Sequence, residues 1–478
     1  MPDLIKKLAT EVASRIQELG FDEPSRTAIA ALLDIAYLGT LRSEEGRFVK
    51  GSLTFANPMR PEIDPPFTRR ANYPAFIKFD SIEILTVQTL VKLARAIDRW
   101  SGSIAVHSTR RGGFVAWGVV DQLVEQNVWF HRESDGGFVN PGLLTVTMDG
   151  IGDISVYHGS LFLGGLKAQN LVTRESDALN SNIVSEHVFH ALEPFAKAIA
   201  RVLDSDSEAN IGGALMEVWA TSIARLCIGL RQHGTGGAFL LTPTPIRDVL
   251  QVKHPLTYSR LRDAAILNVL DEGYRLKLED AEHTLTSEGN PVPAKLAKDL
   301  SRAETDAEDR RKEVTGAVKL VTSFASVDGC VLMTPELSVS GFGVKIGSTP
   351  NVSTVYDGTS FASRGTRARK IDLSQFGTRH GSMLRYCAQD RKALGIVVSQ
   401  DGYVRLIMTV KKSLLLWDNI KLLGHQDFSQ NKAAKYKERR RRLEMIREAK
   451  TWPFELGYTE TPKTIDQLMK ATASQQKH

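Results

Sequence analysis

The spacing of apolar and polar residues predicts helices and short strands in the first two hundred residues. Apolar positions with helical periodicity mark Asp3–Leu19 and Arg26–Tyr37, and a longer helix is predicted over Asp80–Trp100. Alternating runs between Gly-rich turns predict four strands: Ser103–His107, Phe114–Val119, Leu143–Met148 and Asp153–Tyr157. A helix from Ser185 to Leu203 ends this part. The mixture indicates a compact α+β or α/β unit.

A polar segment, Asp204–Asn210, follows and predicts either a linker or the turn before the next helix. The next elements are predicted at Gly213–Arg231 (helix), Gly237–Thr242 (strand) and Leu261–Asp271 (helix). Residues 277–312 are polar and charged, and they predict an insertion made of a short loop and a solvated helix at Ala294–Lys312. From Ala317 to Val410 strands dominate, with one helix after Gly377.

The length of the chain predicts more than one domain, because single cores rarely exceed a few hundred residues and this chain has 478. The predicted fold class is α/β. We place a first domain at residues 1–205, a second domain at 206–425 with the charged insertion at 277–312, and a basic C-terminal helix and tail at 426–478.

Composition predicts a soluble cytoplasmic protein. Hydrophobic residues make up 42% of the chain and charged residues 24%, which is an ordinary globular balance. Cys227, Cys330 and Cys387 are too widely spaced for a zinc site or a disulfide framework, and they indicate a reducing compartment. The N-terminus lacks the apolar core of a signal peptide, and we expect no stretch long and apolar enough to span a bilayer.

The net charge of +6 comes largely from one basic run, Lys432–Lys450, which includes four consecutive arginines at 439–442. A solvated C-terminal helix is the favoured interpretation, and an arm that binds nucleic acid is the other. A mildly basic protein also suits substrates that carry several phosphates.

The first motif with chemical potential is Val327-Asp328-Gly329-Cys330-Val331-Leu332-Met333. An Asp-Gly step directly before an apolar strand places a carboxylate where it can bind a divalent ion, and the glycine lets a ligand approach the backbone. Read alone, the same step is also a common turn.

The second motif runs from Gly377 to Tyr386 and contains Thr378-Arg379-His380. Backbone N–H groups at a helix start favour phosphate, and the Arg379 guanidinium adds donors that fit phosphate oxygens. An ordinary helix cap with a surface Arg-His pair explains the same residues equally well.

The third motif runs from Leu394 to Ile407, where a buried strand ends in Ser399-Gln400-Asp401-Gly402 and a second strand returns. Ser399 and Asp401 at the strand end are candidates to bind a metal or a phosphate. Taken in isolation, the segment is a plain hairpin turn.

Together, in this order and spacing, the three motifs resemble the diadenylate cyclase domain, whose signatures are Asp-Gly-Ala, Gly-Thr-Arg-His-Arg and Val-Val-Ser-Glu-Glu-Thr-Gly. The strand Gly237–Leu241 resembles the first strand of that family, so the likeness covers roughly residues 210–420. Residues 1–200 more loosely resemble the sensor domain that precedes such a domain in bacterial proteins, at Val115–Gly118 and Gly150–Gly152.

The resemblance implies a mixed central sheet flanked by helices and an enzyme that condenses two ATP into cyclic di-AMP with release of pyrophosphate. It implies two such domains facing each other in a homo-oligomer, and a signal acting on the N-terminal domain. It implies catalytic roles for Asp328, Arg379 and His380, and a Mg²⁺ or Mn²⁺ ion on Asp328 and Asp401. The implied ATP-binding residues are Gly329, Cys330, Val344, Lys345, Thr378, Arg379, His380, Ser382 and Ser399.

Several positions depart from the family pattern. Cys330 replaces alanine, Gly381 replaces the last arginine of Arg-His-Arg, and Gln400-Asp401 replaces Glu-Glu. A catalytically weak or inactive nucleotide-binding regulator of the same fold is therefore the main alternative. A nucleic-acid-binding protein that acts through the basic run, and a cyclase for a different base, are the others; a membrane partner is not expected.

Overall fold

The computed structural model shows two compact units; among the described residues, those up to 173 form the first unit and those from 176 onward form the second. The residues that it describes are 2–19, 24–44, 47–58, 75–97, 102–109, 113–121, 143–158, 161–167, 170–173, 176–204, 208–233, 236–347, 352–364, 367–373, 376–399, 403–422 and 462–474. Their fold is the predicted α/β class, with two eight-stranded mixed sheets and ten helices among the described residues.

The described residues of the first unit form three helices and ten strands. They are α1 Pro2–Leu19, α2 Arg26–Thr40, β1 Ser43–Glu44, β2 Arg47–Phe48, β3 Gly51–Phe55, β4 Ala75–Ile84, α3 Val87–Ala96, β5 Gly102–Ser108, β6 Phe114–Asp121, β7 Leu144–Gly150, β8 Asp153–His158, β9 Leu161–Lys167 and β10 Asn170–Val172. The main sheet has the order β10-β9-β8-β7-β3-β5-β6-β4, and β3 and β5 are its parallel pair.

The three helices of the first unit share one hydrophobic core with one face of this sheet. Leu8 and Val12 of α1, Leu32 of α2 and Leu90 of α3 belong to the same buried cluster as strand residues such as Leu53. Alternation along β3 places Leu53 in this core and Thr54 on the other face, which is the period of two expected for a strand.

The predicted helix over Asp80–Trp100 is wrong in its first part. Residues up to Ile84 belong to the edge strand β4, and the helix α3 begins only at Val87. Thr86 fixes this start, because its hydroxyl accepts a hydrogen bond from the Thr89 backbone N–H at 3.1 Å. The apolar residues before Thr86 fit a helical period in sequence, yet they pair with β6.

The second unit begins with α4 Asn182–Val202, which packs against α5 Glu208–His233. The remaining elements are β11 Gly237–Leu241, β12 Leu250–Tyr258, α6 Arg260–Ser287, α7 Ala294–Ala325, β13 Cys330–Met333, β14 Val339–Ile346, β15 Tyr356–Asp357, α8 Gly358–Arg364, α9 Thr378–Gln389, β16 Leu394–Val398, β17 Val404–Val410, β18 Ser413–Trp417 and α10 Ile465–Ser474. Helix α4 thus belongs to the second unit, together with α5.

The sheet of the second unit has the order β12-β14-β13-β11-β16-β17-β18-β15. Pairs β11–β13 and β15–β18 are parallel and the others antiparallel, so the sheet is mixed. Helix α9 covers one face, while α5 and α7 contact strands from the other side. Gly395 permits close packing of α9, since a Cβ there would lie 2.5 Å from Met383 Cγ.

The predicted solvated insertion is instead a packed helical hairpin. Helix α6 runs without a break through Lys277 to Ser287, and α7 continues past Lys312 to Ala325, into residues predicted as strand. The hairpin encloses its own small core, formed by Leu278, Ala281, Leu296, Leu300 and Ala303. A second short helix, α8, also lies in the region where only one was predicted.

Charged side chains are paired along this hairpin. Arg310 Nε lies 2.9 Å from Asp271 Oδ2, whose side chain is only 4% exposed, and Arg275 Nη2 lies 2.7 Å from Glu272 Oε1. The charged side chains of this segment therefore form ion pairs that stabilise the packing of the two helices, in addition to those that contact water. The basic run at 432–450 lies outside the described residues.

Helix α5 corrects the expectation that no segment is long and apolar enough to span a bilayer. Residues Glu208–Arg231 meet that test by length and composition, but 61% of the apolar window is buried inside the protein. A long apolar helix of this kind is equally typical of a protein core, and α5 supplies Trp219, Ile223 and Cys227 to the buried interior.

Candidate functional site

The three motifs lie at one edge of the second sheet. Cys330 pairs with Val344, so Asp328 lies beyond the start of β13, next to the end of β14. Gly237 pairs with Val398, so Ser399 extends past the start of β11 at the same edge. With β11 between β13 and β16, the two strand ends are about 10 Å apart.

Helix α9 points its N-terminus to this edge. His380 near the helix start contacts Arg405 near the start of β17, and Cys387 near the helix end contacts Thr409 near the strand end. The helix therefore runs parallel to β17. The edge thus gathers the Asp-Gly turn, the start of the Thr-Arg-His helix and the Ser399 turn, although they are far apart in the sequence.

Gly329 allows the Asp-Gly turn to lie close against β14. Its φ of +115° is a conformation that side chains rarely adopt, and a Cβ there would lie 2.7 Å from Gly343 C and 2.8 Å from Val344 N. Asp328 itself is exposed, and its carboxylate has no hydrogen-bond or ion-pair partner in the described part of the chain. The turn therefore presents a carboxylate to solvent on a tightly packed backbone.

The first turn of α9 offers backbone donors. Gly377 caps the helix without a side-chain hydrogen bond, and the first helical bond goes from Gly381 N–H to Gly377 O at 3.0 Å. The N–H groups of residues 378–380 precede that bond and so have no partner within the helix. This is the arrangement that binds phosphate at other helix starts.

The side chains of this helix start differ in their availability. Thr378 is exposed, and Arg379 is partly exposed with no side-chain partner among the described residues. The Ser382 hydroxyl donates back to the Thr378 carbonyl at 2.9 Å, so its proton is engaged and only its oxygen remains as an acceptor. Arg379 is therefore the cation that this turn leaves available for an anion.

His380 is held in a network that the sequence did not reveal. Arg405 Nη1 lies 3.0 Å from His380 Nε2, and because arginine only donates, the imidazole accepts at Nε2 and carries its proton on Nδ1. Arg405 Nε also pairs with Asp418 Oδ1 at 2.8 Å. The Phe376 ring stacks on His380 at 5.5 Å, which leaves the imidazole 8% exposed.

The Arg405 guanidinium also lies over two rings, 5.2 Å from the centre of Phe376 and 5.0 Å from that of Tyr403. These contacts fix a cation beside His380. The resemblance predicts an arginine at position 381, but Gly381 has no side chain. Arg405 of β17 instead places a cation next to the neighbouring His380.

Two implied ATP contacts, Cys330 and Val344, have side chains in the core shared with α9. Burial raises the pKa of the Cys330 thiol to about 12, so it is a neutral core group. Only the backbones of these residues can reach a ligand at the edge. Lys345, the next residue, is exposed and has no partner among the described residues.

Ser399 closes the β16–β17 hairpin. Its backbone N–H and its hydroxyl both donate to the Tyr403 carbonyl, at 2.9 Å and 3.1 Å. The next three residues, including the predicted metal ligand Asp401, lie outside the described part of the chain. Ser399 therefore has a structural role, with its hydroxyl oxygen still able to accept a hydrogen bond.

The fit of a metal ion depends on carboxylates at this edge. No group of three or more His, Cys, Asp or Glu that could hold a metal occurs among the described residues. Mg²⁺ is commonly held by one or two carboxylates together with the phosphates of its substrate. Asp328, an exposed carboxylate, fits that mode of binding.

Comparison with known proteins concerns the first unit. Residues 21–121 match the family model described as the probable sensor domain DACNV. The chain carries a probable sensor domain. The match spans α2, α3 and strands β1 to β6, which include the central parallel pair of the first sheet. No family match covers the second unit, and neither the curated proteins nor the solved structures include a significant match to the chain.

Proposed function

We propose that the second unit is a diadenylate cyclase domain, which condenses two ATP into cyclic di-AMP with release of pyrophosphate. The observation that carries the proposal is the meeting of the three motifs at one sheet edge. Three charged side chains at that edge, Asp328, Lys345 and Arg379, have no partners among the described residues. The sensor domain of the first unit supports the proposal, since its name suggests an association with diadenylate cyclases.

The reaction is nucleotidyl transfer. The 3′-oxygen of one ATP forms a bond to the α-phosphorus of the other, the bond to pyrophosphate breaks, and the hydroxyl proton is released to solvent. The same exchange in the opposite sense closes the ring. Positioning and neutralisation of charge carry most of the catalysis in phosphoryl transfer.

In this proposal the phosphates of ATP bind at the start of α9. Arg379 and the free N–H groups of the first turn contact phosphate oxygens, and Thr378 lies beside them. His380, with its proton on Nδ1, and the neighbouring Arg405 add donors on the β17 side. Lys345 and the backbones of Gly329, Cys330 and Val344 line the β14 side, and the Ser382 and Ser399 oxygens accept hydrogen bonds.

A Mg²⁺ or Mn²⁺ ion would be held by Asp328 and Asp401 together with the phosphates. When bound, it would neutralise phosphate charge and lower the pKa of the attacking hydroxyl. Asp328 has no other partner to satisfy among the described residues, which suits this role.

Formation of both bonds requires two sites that face each other with two-fold symmetry, because each domain binds one ATP. We therefore propose a cytoplasmic homo-oligomer in which the sensor domain controls activity by changing how the second units meet. A small molecule or a protein is the proposed signal.

One observation favours the alternative of a nucleotide-binding regulator. Gly381 supplies no cation to the helix start, and His380 is already engaged by Arg405 and covered by Phe376. A regulator would bind ATP at the same edge without forming cyclic di-AMP.

Titration calorimetry with ATP and Mg²⁺ tests the site. We expect Arg379→Gln to weaken ATP binding about tenfold or more, because one charge-assisted contact to phosphate is removed. Arg302→Gln, on the exposed surface of α7, is the matched control and should bind like wild type. Equal affinity in the two variants would contradict the assignment of the site.

A further inference from the structure

A cavity of about 310 Å³ lies at the opposite edge of the second sheet from the candidate site. Its lining residues are Val352, Ser353, Thr354, Arg385, Ala388, Gln389, Arg391, Thr409, Lys412 and Leu414. They come from the C-terminal half of α9 and the turn after it, from the hairpin between β17 and β18, and from residues 352–354 before β15. The volume is at the lower end of the range for small-molecule sites, roughly 300–1,000 Å³.

The cavity is positively charged. Arg385, Arg391 and Lys412 line it, and none of the lining residues is acidic. Arg391 and Lys412 have no ion-pair or hydrogen-bond partner in the part of the chain that the structure describes. Ser353 and Thr354 add hydroxyl donors at the same wall. Like charges gathered in a concave surface attract a small anion more strongly than the same charges spread over a convex one.

Lys412 also lies in a strained turn. Val410 pairs with Ser413, so Lys411 and Lys412 form a two-residue hairpin turn, with φ of +46° and +71°. Such a turn favours Asn-Gly, because side chains disfavour positive φ at both positions. Strain of this kind is often retained where it serves a function.

Helix packing alone does not account for Lys412. Arg385 lies in the C-terminal half of α9, and Arg391 lies two residues beyond its end, where a cation also favours the helix dipole. Lys412 belongs to a strand hairpin, has no such reason to be basic, and still contributes to the cavity. Three cations, two from the C-terminal side of α9 and one from the β17–β18 hairpin, thus line the same cavity.

We propose that this cavity binds a small molecule that carries two or more phosphate groups. Guanidinium groups bind phosphate oxygens through paired N–H donors, and a lysine adds a compact charge that tolerates varied phosphate geometry. A single phosphate would engage fewer of the three cations. The site is distinct from the ATP site proposed above, since α9 places its N-terminus there and its C-terminal half here.

The test is titration calorimetry of the full-length protein with inorganic pyrophosphate. All variants carry Arg379→Gln, so that the proposed ATP site contributes little and the two proposals can fail separately. We expect pyrophosphate to bind at one site and inorganic phosphate to bind more weakly. Binding should weaken as NaCl rises, because the contacts are ionic.

Two glycine variants form a matched pair. Lys412→Gly and Lys411→Gly each relieve one positive-φ position, but only Lys412 lines the cavity. Lys412→Gly should weaken pyrophosphate binding about tenfold, and Lys411→Gly should leave it within about twofold. Thermal unfolding followed by circular dichroism should show both variants at least as stable as their parent.

Equal pyrophosphate affinity in the two glycine variants would overturn the proposal, as would the absence of pyrophosphate binding in the Arg379→Gln parent. Loss of ATP binding in Arg379→Gln with pyrophosphate binding retained would support both sites. Pyrophosphate binding that depends on Lys412 would support the cavity even if the protein forms no cyclic di-AMP.

Discussion

At the scale of single residues, the candidate site depends on positions whose roles are set by the backbone. Gly329 is needed because its neighbour across the sheet lies too close for any side chain. Asp328, the residue before it, is exposed. The sequence predicts both residues, because an Asp-Gly step before an apolar run is a local signal.

Gly329→Ala should lower the free energy of unfolding by about 2 kcal/mol or more, because the change combines a strained φ with a backbone clash. Gly316→Ala in the interior of α7 is the control. A Cβ at position 316 would have no atom within 4 Å outside its own turn of helix, and the substitution should stabilise the protein by about 0.5–1 kcal/mol. Urea unfolding of both variants measures the difference, and a neutral Gly329→Ala would contradict the described turn.

The three cysteines should resist alkylation in the folded protein. Cys227, Cys330 and Cys387 are buried, and burial raises the pKa of each thiol, to about 12 for the first two. A maleimide reagent at pH 8 should label them only as fast as the protein unfolds. Rapid labelling of any one of them without denaturant would contradict its burial.

At the scale of elements, the sequence predicts most helices and hairpins, but it does not predict which side chains from different elements contact each other. The Arg405–His380–Asp418 network joins α9, β17 and the end of β18, so no local pattern contains it. The dense charges of residues 277–312 predict a short loop and a solvated helix at Ala294–Lys312. Charge density does not reveal that Arg310 pairs with a nearly buried Asp271 on the other helix.

Arg310→Gln should destabilise the protein by about 3–5 kcal/mol at pH 7, because it leaves the Asp271 carboxylate buried without its partner. Arg311→Gln, whose side chain is 55% exposed, should change stability by less than about 1 kcal/mol. Chemical unfolding of the two variants provides the comparison. Similar values for both would contradict the assigned burial of the pair.

The stability of the Arg310→Gln variant should depend on pH in a characteristic way. Burial raises the pKa of Asp271 above its ordinary value of 3.8, and removal of Arg310 should raise it further. As pH falls toward 5, the folded variant takes up a proton that the unfolded chain does not, so its folded state is favoured. The stability deficit of Arg310→Gln relative to wild type should therefore shrink from pH 7 to pH 5, and a growing deficit would contradict this account.

At the scale of the whole molecule, the roles of the two units rest on different kinds of evidence. The first contains a probable sensor domain by family match, and the second is proposed as the catalytic unit from its motifs and their arrangement. Sequence order indicated this division of roles. It did not indicate that both donors of Ser399 bond to the Tyr403 carbonyl or that the side chain of Val344 is buried, because those facts depend on strand pairing.

The need for two facing domains predicts that turnover per protein molecule depends on self-association. Activity per molecule should rise with protein concentration over the range in which sedimentation velocity shows monomers combining. Activity that is constant per molecule while the protein stays monomeric would contradict the two-fold arrangement.

Product analysis by mass spectrometry, after incubation of the purified protein with ATP and Mg²⁺ or Mn²⁺, tests the proposed cyclase activity itself. We expect cyclic di-AMP and pyrophosphate from wild type, and at least a hundredfold less product from Asp328→Asn, roughly the size of effect expected when a metal-binding carboxylate is lost. Formation of no cyclic di-AMP by wild type while ATP binds would contradict the cyclase assignment and favour the regulator. Equal product from wild type and Asp328→Asn would contradict the proposed role of Asp328.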